Sequence, residues 1–199
     1  MAYTPAAMVM TPSQMLPLGT QAPAFRLPDA SGRWVSLDDH PDAKAYLVVF
    51  MCNHCPAVRH IRGELAALGR ELPARGGVMI GINSNDYDKY PDDSPSRMRD
   101  EAETYGYVFP YLVDESQDVA KAYQAACTPD FFLFDGKRRL VYRGQLDDSR
   151  PSNGKPVTGK DLRAAIDAVL AGREPSSEQV PSIGCNIKWR DGNAPEWFG

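Results

Sequence analysis

The sequence predicts a mixed α/β fold, a central β-sheet with helices on both faces. Three observations predict it. Tyr46–Met51 and Val78–Asn83 are apolar, partly β-branched runs of strand length. Each precedes a stretch with helical spacing: Val58, Ile61, Leu65, Leu68 and Leu72 after the first, and Met98, Ala102 and Tyr105 after the second. Later, Phe131–Phe134 and Leu140–Arg143 flank Asp135-Gly136-Lys137-Arg138, which reads as a hairpin turn.

In chain order, residues 1–18 read as an irregular arm rich in Pro, Met, Ala and Thr. Phe25 and Leu27 alternate with polar neighbours, Asp29–Gly32 has turn chemistry, and Trp34-Val35 reads as the return strand of an N-terminal β-hairpin. After the first helix, Pro73–Gly77 breaks the pattern, and Asn85–Asp93 is a polar loop. Ser94-Pro95 marks a helix start, and Gly106 marks that helix's end. Phe109–Val113 is a short strand entry, and Ser116–Ala125 a short helix with Val119, Ala120 and Tyr123 inward. Thr158-Gly159-Lys160-Asp161 has the form of a capping box for a last helix carrying Leu162, Ile166, Val169 and Leu170. The main domain is expected over residues 19–172, and residues 173–199 form a tail. Trp189, Trp197 and Phe198 suggest that part of the tail docks.

The 199 residues suit one domain with appendages, and a hydrophobic fraction of 43% supports a sizeable core. A net charge of −4 with no long basic run argues against nucleic acid as a partner. No segment reads as a bilayer span, and the N-terminus lacks the basic and apolar regions of a secretion signal. With four cysteines the chain has no dense disulfide framework, so a reducing, cytoplasmic setting is expected.

The chemistry centres on Cys52-Asn53-His54-Cys55, which joins the first buried strand to the first helix. Two thiols at that spacing can close a small disulfide ring and reopen it. The thiolate is the nucleophile, and a helix N-terminus favours it. Cys52, expected at or beside the N-cap, is therefore assigned as the attacking thiol and Cys55 as the resolving thiol. His54, with Asn53 beside it, is expected to tune the pair, because a protonated imidazole favours a neighbouring thiolate. A zinc site lacks a second C-x-x-C or a close H-x-x-x-H, so no metal is expected. In α/β sheets, sites lie at the carboxyl ends of strands, and Met51-Cys52 is such an end.

The strand–C-x-x-C–helix unit, with Thr128-Pro129 ahead of the strand Phe131–Phe134, resembles the thioredoxin superfamily over about residues 19–171. The resemblance implies a thioredoxin-like fold. It also implies a cis Pro129 that faces the C-x-x-C and, with Thr128, helps hold the substrate chain. Gly19–Phe25 is similar to the TlpA and AhpC/TSA branch. Phe50–Pro56, Ile82–Asp86, Cys127–Phe132 and Pro181–Trp189 together resemble a bacterial peroxiredoxin-like family of that fold. Peroxiredoxins of this branch carry P-x-x-x-T/S-x-x-C. Aligned on Cys55, that motif meets Cys52 in place of Thr or Ser and Val48 in place of Pro. The departure weighs against peroxidase activity. The expected absence of a membrane anchor weighs against a TlpA-type role.

If Pro129 faces the site, Cys127 lies near it, either as a buried small residue or as a redox thiol. Cys185 lies in the tail, and Cys127–Cys185 is the expected second, tail-fastening or relay pair. His40 and His60 read as solvated, Asp147-Asp148 as an exposed carboxylate pair, and Lys137-Arg138-Arg139 as a solvated hairpin end. The expected activity is thiol–disulfide exchange with protein or small-molecule disulfides and thiols, without a cofactor. Thioredoxin or glutathione is a candidate electron donor. The alternatives are a thiol peroxidase acting on hydroperoxides and a non-enzymatic redox sensor.

Overall fold

The computed structural model describes residues 10–199. Residues 1–9 of the expected arm, with Met8, lie outside the described residues.

Two apolar runs make the centre of a five-stranded sheet: β4 (Ala45–Phe50) and β5 (Val78–Asn83), parallel and buried along their whole length. On β5 lies β6 (Tyr111–Val113), also parallel. On the other side of β4 run β8 (Asp130–Asp135) and then β9 (Leu140–Tyr142), both antiparallel. The order is β6-β5-β4-β8-β9.

Alternate side chains of β4 face opposite ways, and the two faces build separate cores. Leu47, Val49 and Met51 pack with Leu65, Leu68 and Leu72 of α2 (Arg62–Ala74), Met98 of α3 (Pro95–Tyr105) and Leu162 and Ile166 of α5 (Lys160–Leu170). Tyr46, Val48 and Phe50 pack with Ala120 and Tyr123 of α4 (Asp118–Tyr123) and with Val35. Val35 belongs to the expected hairpin, β2 (Arg26–Pro28) and β3 (Trp34–Ser36). Helices therefore cover both faces.

Three local expectations are corrected. The first helix is broken: α1 (Pro56–His60) stops at Ile61, whose φ of −108° and ψ of 11° leave the helical region before α2 begins. The last helix takes no side-chain cap from Thr158-Gly159-Lys160-Asp161. Its N-cap is Gly159 at φ +67°, and the Thr158 and Gly159 N–H groups donate instead to Asp147 Oδ2, at 2.7 and 2.6 Å. Asp147 is thereby buried rather than exposed, and Asp148 pairs with Lys155 and Lys160.

The arm is not irregular throughout, and the tail does not merely dock. β1 (Met10–Pro12), β10 (Ile183–Asn186) and β7 (Cys127–Thr128) form an antiparallel ladder in the order β1-β10-β7. Strands of two to four residues whose partners lie far away in sequence carry no periodic pattern, so nothing in the sequence marks them. Gly184 makes the β10–β7 approach possible, since a Cβ there would fall 2.0 Å from the Thr128 carbonyl oxygen.

Gly184→Ala is expected to cost about 1–3 kcal/mol and to loosen the tail. Chemical denaturation and limited proteolysis check this: an unchanged midpoint together with unchanged cleavage within 173–199 would contradict the tight pairing.

Candidate redox site

The chain leaves the sheet at Met51, and four residues carry it to α1. Cys52 is 1% exposed and Cys55 is fully buried. Cys55, not Cys52, is the N-cap of α1. Cys52 Sγ lies 3.5 Å from Thr128 Oγ1, and Cys55 Sγ lies 3.3 Å from the Thr128 carbonyl oxygen. Both thiols thus meet the same residue, Cys52 at the Thr128 hydroxyl and Cys55 at its carbonyl. The Thr128–Pro129 peptide is cis, as the resemblance implied.

A third thiol completes the group. Cys185 Sγ lies 2.7 Å from Cys55 Sγ. The expected Cys127–Cys185 pair is corrected by the register of β10 on β7, where Cys185 stands opposite Thr128 and Asn186 opposite Cys127. Cys127 and Cys185 are thus one position out of step, and side chains one position apart on such a ladder face opposite ways. The Cys127 thiol instead points toward the carbonyl oxygens of Pro129 and Ser182, at 3.6 and 3.9 Å.

This placement also reverses the expected order of acidity. The neighbouring Cys185 thiol, then Cys52, hold the Cys55 thiol below an ordinary thiol, and they outweigh its burial. The Val58 N–H assists. Burial pushes the Cys52 thiol well up, and the neighbouring Cys55 and Asp93 push it further. The Cys185 thiol is raised by its bond to Cys55 and by burial. Because α1 ends after five residues, little macrodipole is available, and neighbouring donors do the work instead.

The loop between the cysteines is held by Asp93, which the sequence reading passed over. Asp93 Oδ1 accepts from the Asn53 N–H at 2.7 Å, and Oδ2 accepts from Asn85 Nδ2 at 2.9 Å and bonds His54 Nδ1. Burial pushes the Asp93 carboxyl up, but the His54 hydrogen bond and charge, with the Asn85 and Asn53 donors, more than offset it and hold it low. His54 stacks on Tyr90, with ring centroids 5.5 Å apart and planes within 5°. His54 is thus bonded to a carboxylate rather than to a sulfur. Asn53 is an anchor: it receives Tyr111 Oη on Oδ1 at 2.8 Å and donates to the Asp92 carbonyl at 2.9 Å. Arg59 and Arg62 donate to its carbonyl. Asp93 lies in the loop beyond β5, beside the carboxyl end of β4, where the rule for α/β sheets would have pointed. Ligand atoms of Cys52, His54 and Asp93 lie within 4.8 Å of one another, a grouping that the cysteine spacing alone does not reveal.

The remaining candidates serve the scaffold. His40 is exposed as expected, whereas His60 is half-buried, with Nε2 2.7 Å from Ser149 Oγ. Arg138 pairs with Asp38 and lies over the Tyr46 ring, and Arg139 pairs with Asp135, so these two side chains of the basic turn are held within the chain.

With this geometry in view, the comparisons with known proteins are informative. The AhpC/TSA family profile matches residues 18–143. The chain belongs to the AhpC/TSA family. A Mycobacterium tuberculosis relative, provisionally named a peroxiredoxin, is 27% identical over 116 residues, covering 58% of this chain and 69% of that protein. Among solved structures, a hypothetical protein from Sinorhizobium meliloti is 54% identical at a TM-score of 0.90, covering 92% of this chain and all of that one. The thioredoxin domain of a Bacteroides vulgatus thiol-disulfide oxidoreductase matches at a TM-score of 0.54 and 22% identity, over 64% of this chain and 88% of that one. This AhpC/TSA chain therefore has the thioredoxin fold. Among the described residues, no helix is long and apolar enough to cross a membrane.

One buried carboxyl next to the site carries a pH signature. Burial pushes Asp130 up to about 7, against the Ala126 N–H that donates to its Oδ2 at 3.1 Å. From the ordinary 3.8 to about 7, the folded chain keeps a proton that the unfolded chain has released. Stability should therefore fall as pH rises through that window and level off above it. Thermal denaturation across the window should show the fall in the parent protein and its absence in Asp130→Asn; parallel curves would contradict the assignment.

Proposed function

We propose that this protein is a thiol–disulfide oxidoreductase in which Cys52 and Cys55 cycle between dithiol and disulfide. The observation that carries the reading is that both sulfurs of the C-x-x-C meet Thr128 at the carboxyl end of β4, Cys52 Sγ 3.5 Å from its hydroxyl and Cys55 Sγ 3.3 Å from its carbonyl oxygen, with Cys185 Sγ 2.7 Å from Cys55. The order of attack is the reverse of the one expected from the sequence. Cys55 thiolate attacks one sulfur of a partner disulfide, the partner S–S bond breaks, and the released thiolate leaves a mixed disulfide on Cys55. The released thiolate takes the Cys52 proton. Cys52 then attacks Cys55 Sγ and expels the second partner sulfur as a thiolate, which takes a proton from water. Two electrons have passed to the partner, and Cys52–Cys55 is oxidised. The reverse direction uses the same steps, and the relative potentials decide. Thr128 and Pro129 line the sulfurs, and Asn53 and His54 position their loop through Asp93. No step in this exchange requires a cofactor. A reducing compartment, the cytoplasm, with thioredoxin or glutathione as electron donor, suits the cycle.

One observation favours a second reading, a thiol peroxidase. The sulfurs are so covered that a small hydroperoxide reaches them with less movement than a protein disulfide needs. Saturable peroxide consumption coupled to thioredoxin or glutathione, faster than reduction of disulfides, would select it.

For the main reading, Cys55→Ser should reduce insulin or oxidised glutathione only at background rate, and Cys52→Ser should turn over more slowly than the parent. Alkylation of Cys55 by iodoacetamide should be nearly independent of pH below neutrality, where an ordinary thiol slows about tenfold per pH unit. Steady-state disulfide reduction and mass-resolved alkylation check both. Full activity in Cys55→Ser would remove the proposal.

A further inference from the structure

The exchange proposed above uses two of the three clustered sulfurs. Cys185 is the third, and its position is fixed from several sides. On one edge of β10, the Ser13 N–H donates to the Ser182 carbonyl at 2.8 Å. On the other, Ser182 Oγ donates to the Pro129 carbonyl at 2.6 Å. Beyond Cys185, the Ile187 N–H donates to the Ala126 carbonyl at 3.1 Å and the Lys188 N–H to Asn85 Oδ1 at 2.8 Å. Gly184 brings the two backbones together. With that framework, Cys185 stands opposite Thr128, whose hydroxyl and carbonyl face Cys52 and Cys55. The Cys55–Cys185 separation of 2.7 Å exceeds a disulfide bond by only about 0.7 Å. Cys55 therefore has Cys185 in contact in addition to its C-x-x-C partner Cys52.

We propose that Cys185 is a third redox thiol of the site, a second resolving partner for Cys55, and that a Cys55–Cys185 disulfide fastens the C-terminal strand over the sulfurs. This rests on the dithiol reading of Cys52 and Cys55 for its chemistry. When Cys55 carries a partner in mixed disulfide, Cys185 attacks Cys55 Sγ, the Cys55–partner S–S bond breaks, and the partner leaves as a thiolate that takes the Cys185 proton. Starting from Cys52–Cys55, the same attack expels Cys52 as a thiolate, which takes that proton. This second step is an exchange, with no net oxidation. It returns Cys52 to its free form while holding β10 against α1. Opening the site then requires reduction of Cys55–Cys185, so the tail couples access to redox state.

Trypsin separates the possibilities cleanly. Cys52 and Cys55 share the peptide 45–59, and Cys185 lies in 174–188. A Cys52–Cys55 bond is internal to one peptide, whereas Cys55–Cys185 joins two. Full-length Cys52→Ser, treated with oxidised glutathione, alkylated and digested, is expected to give peptide 45–59 joined to 174–188. Cys52→Ser with Cys185→Ser is expected to retain glutathione on Cys55 instead. Absence of the joined peptides in Cys52→Ser overturns the proposal, whether or not an adduct remains. The parent protein, equilibrated in a glutathione buffer, gives the same decision without a substitution: the joined peptides, located by fragmentation to Cys55 and Cys185, are expected alongside the internal disulfide. An internal disulfide alone removes the role of Cys185 and leaves the dithiol reading standing. The joined peptides without any internal disulfide support Cys185 and remove that reading. Neither species removes both.

Discussion

The pairing of β10 with the two residues ahead of Pro129 is the constraint on which the site depends. It closes a ladder in which residues 10–12, 183–186 and 127–128 meet, so an N-terminal and a C-terminal segment of the described residues come together beside the candidate site. Without it, Cys55 would have no Cys185 beside it, Thr128 would present its carbonyl to solvent, and the sulfurs would lose their cover. The ladder is short, and a backbone hydrogen bond contributes only about 1 kcal/mol net. A segment held by a few such bonds can open locally while the five-stranded sheet stays intact. The same strand supplies the thiol neighbour of Cys55 and the cover over the sulfurs.

Acidity is set here by neighbours more than by secondary structure. Cys55 is lowered by the Cys185 and Cys52 thiols beside it, Cys185 is raised by its bond to Cys55, and Cys52 is raised first by burial. The two buried carboxyls near the site show the same logic with opposite outcomes. Asp93 gathers His54, Asn85 and the Asn53 N–H, and these favour its charged form strongly enough to overcome burial. Asp130 has the Ala126 N–H on Oδ2 while its Oδ1 has no partner, and burial prevails. Hydrogen bonds to a charged group are worth roughly 1.5–3 kcal/mol each, so the number of donors decides which way a buried carboxyl moves.

Much of the architecture was legible in the sequence because its signals are local. β4 and β5 announce themselves as apolar runs, the Asp29–Gly32 and Asp135–Arg138 turns by their composition, and α3 by Ser94-Pro95 and Gly106. The failures share a cause. The break at Ile61 interrupts a spacing that reads as one helix, and the Asp147 cap comes from a residue outside the helix it serves. Asp93 looked like any acidic loop residue until β5 carried its loop to the end of β4.

By itself the sequence determined the chain order of the five central-sheet strands, the strand–C-x-x-C–helix unit and the spacing that lets Cys52 and Cys55 bond. All three are set by residues within a few positions of one another. Only the tertiary structure decided which further cysteine reaches Cys55. Cys55 and Cys185 are 130 residues apart, and a one-residue difference in the register of β10 would turn Cys185 to the opposite face. That register comes from long-range backbone pairing and from the space that Gly184 leaves, neither of which has a period that the sequence displays.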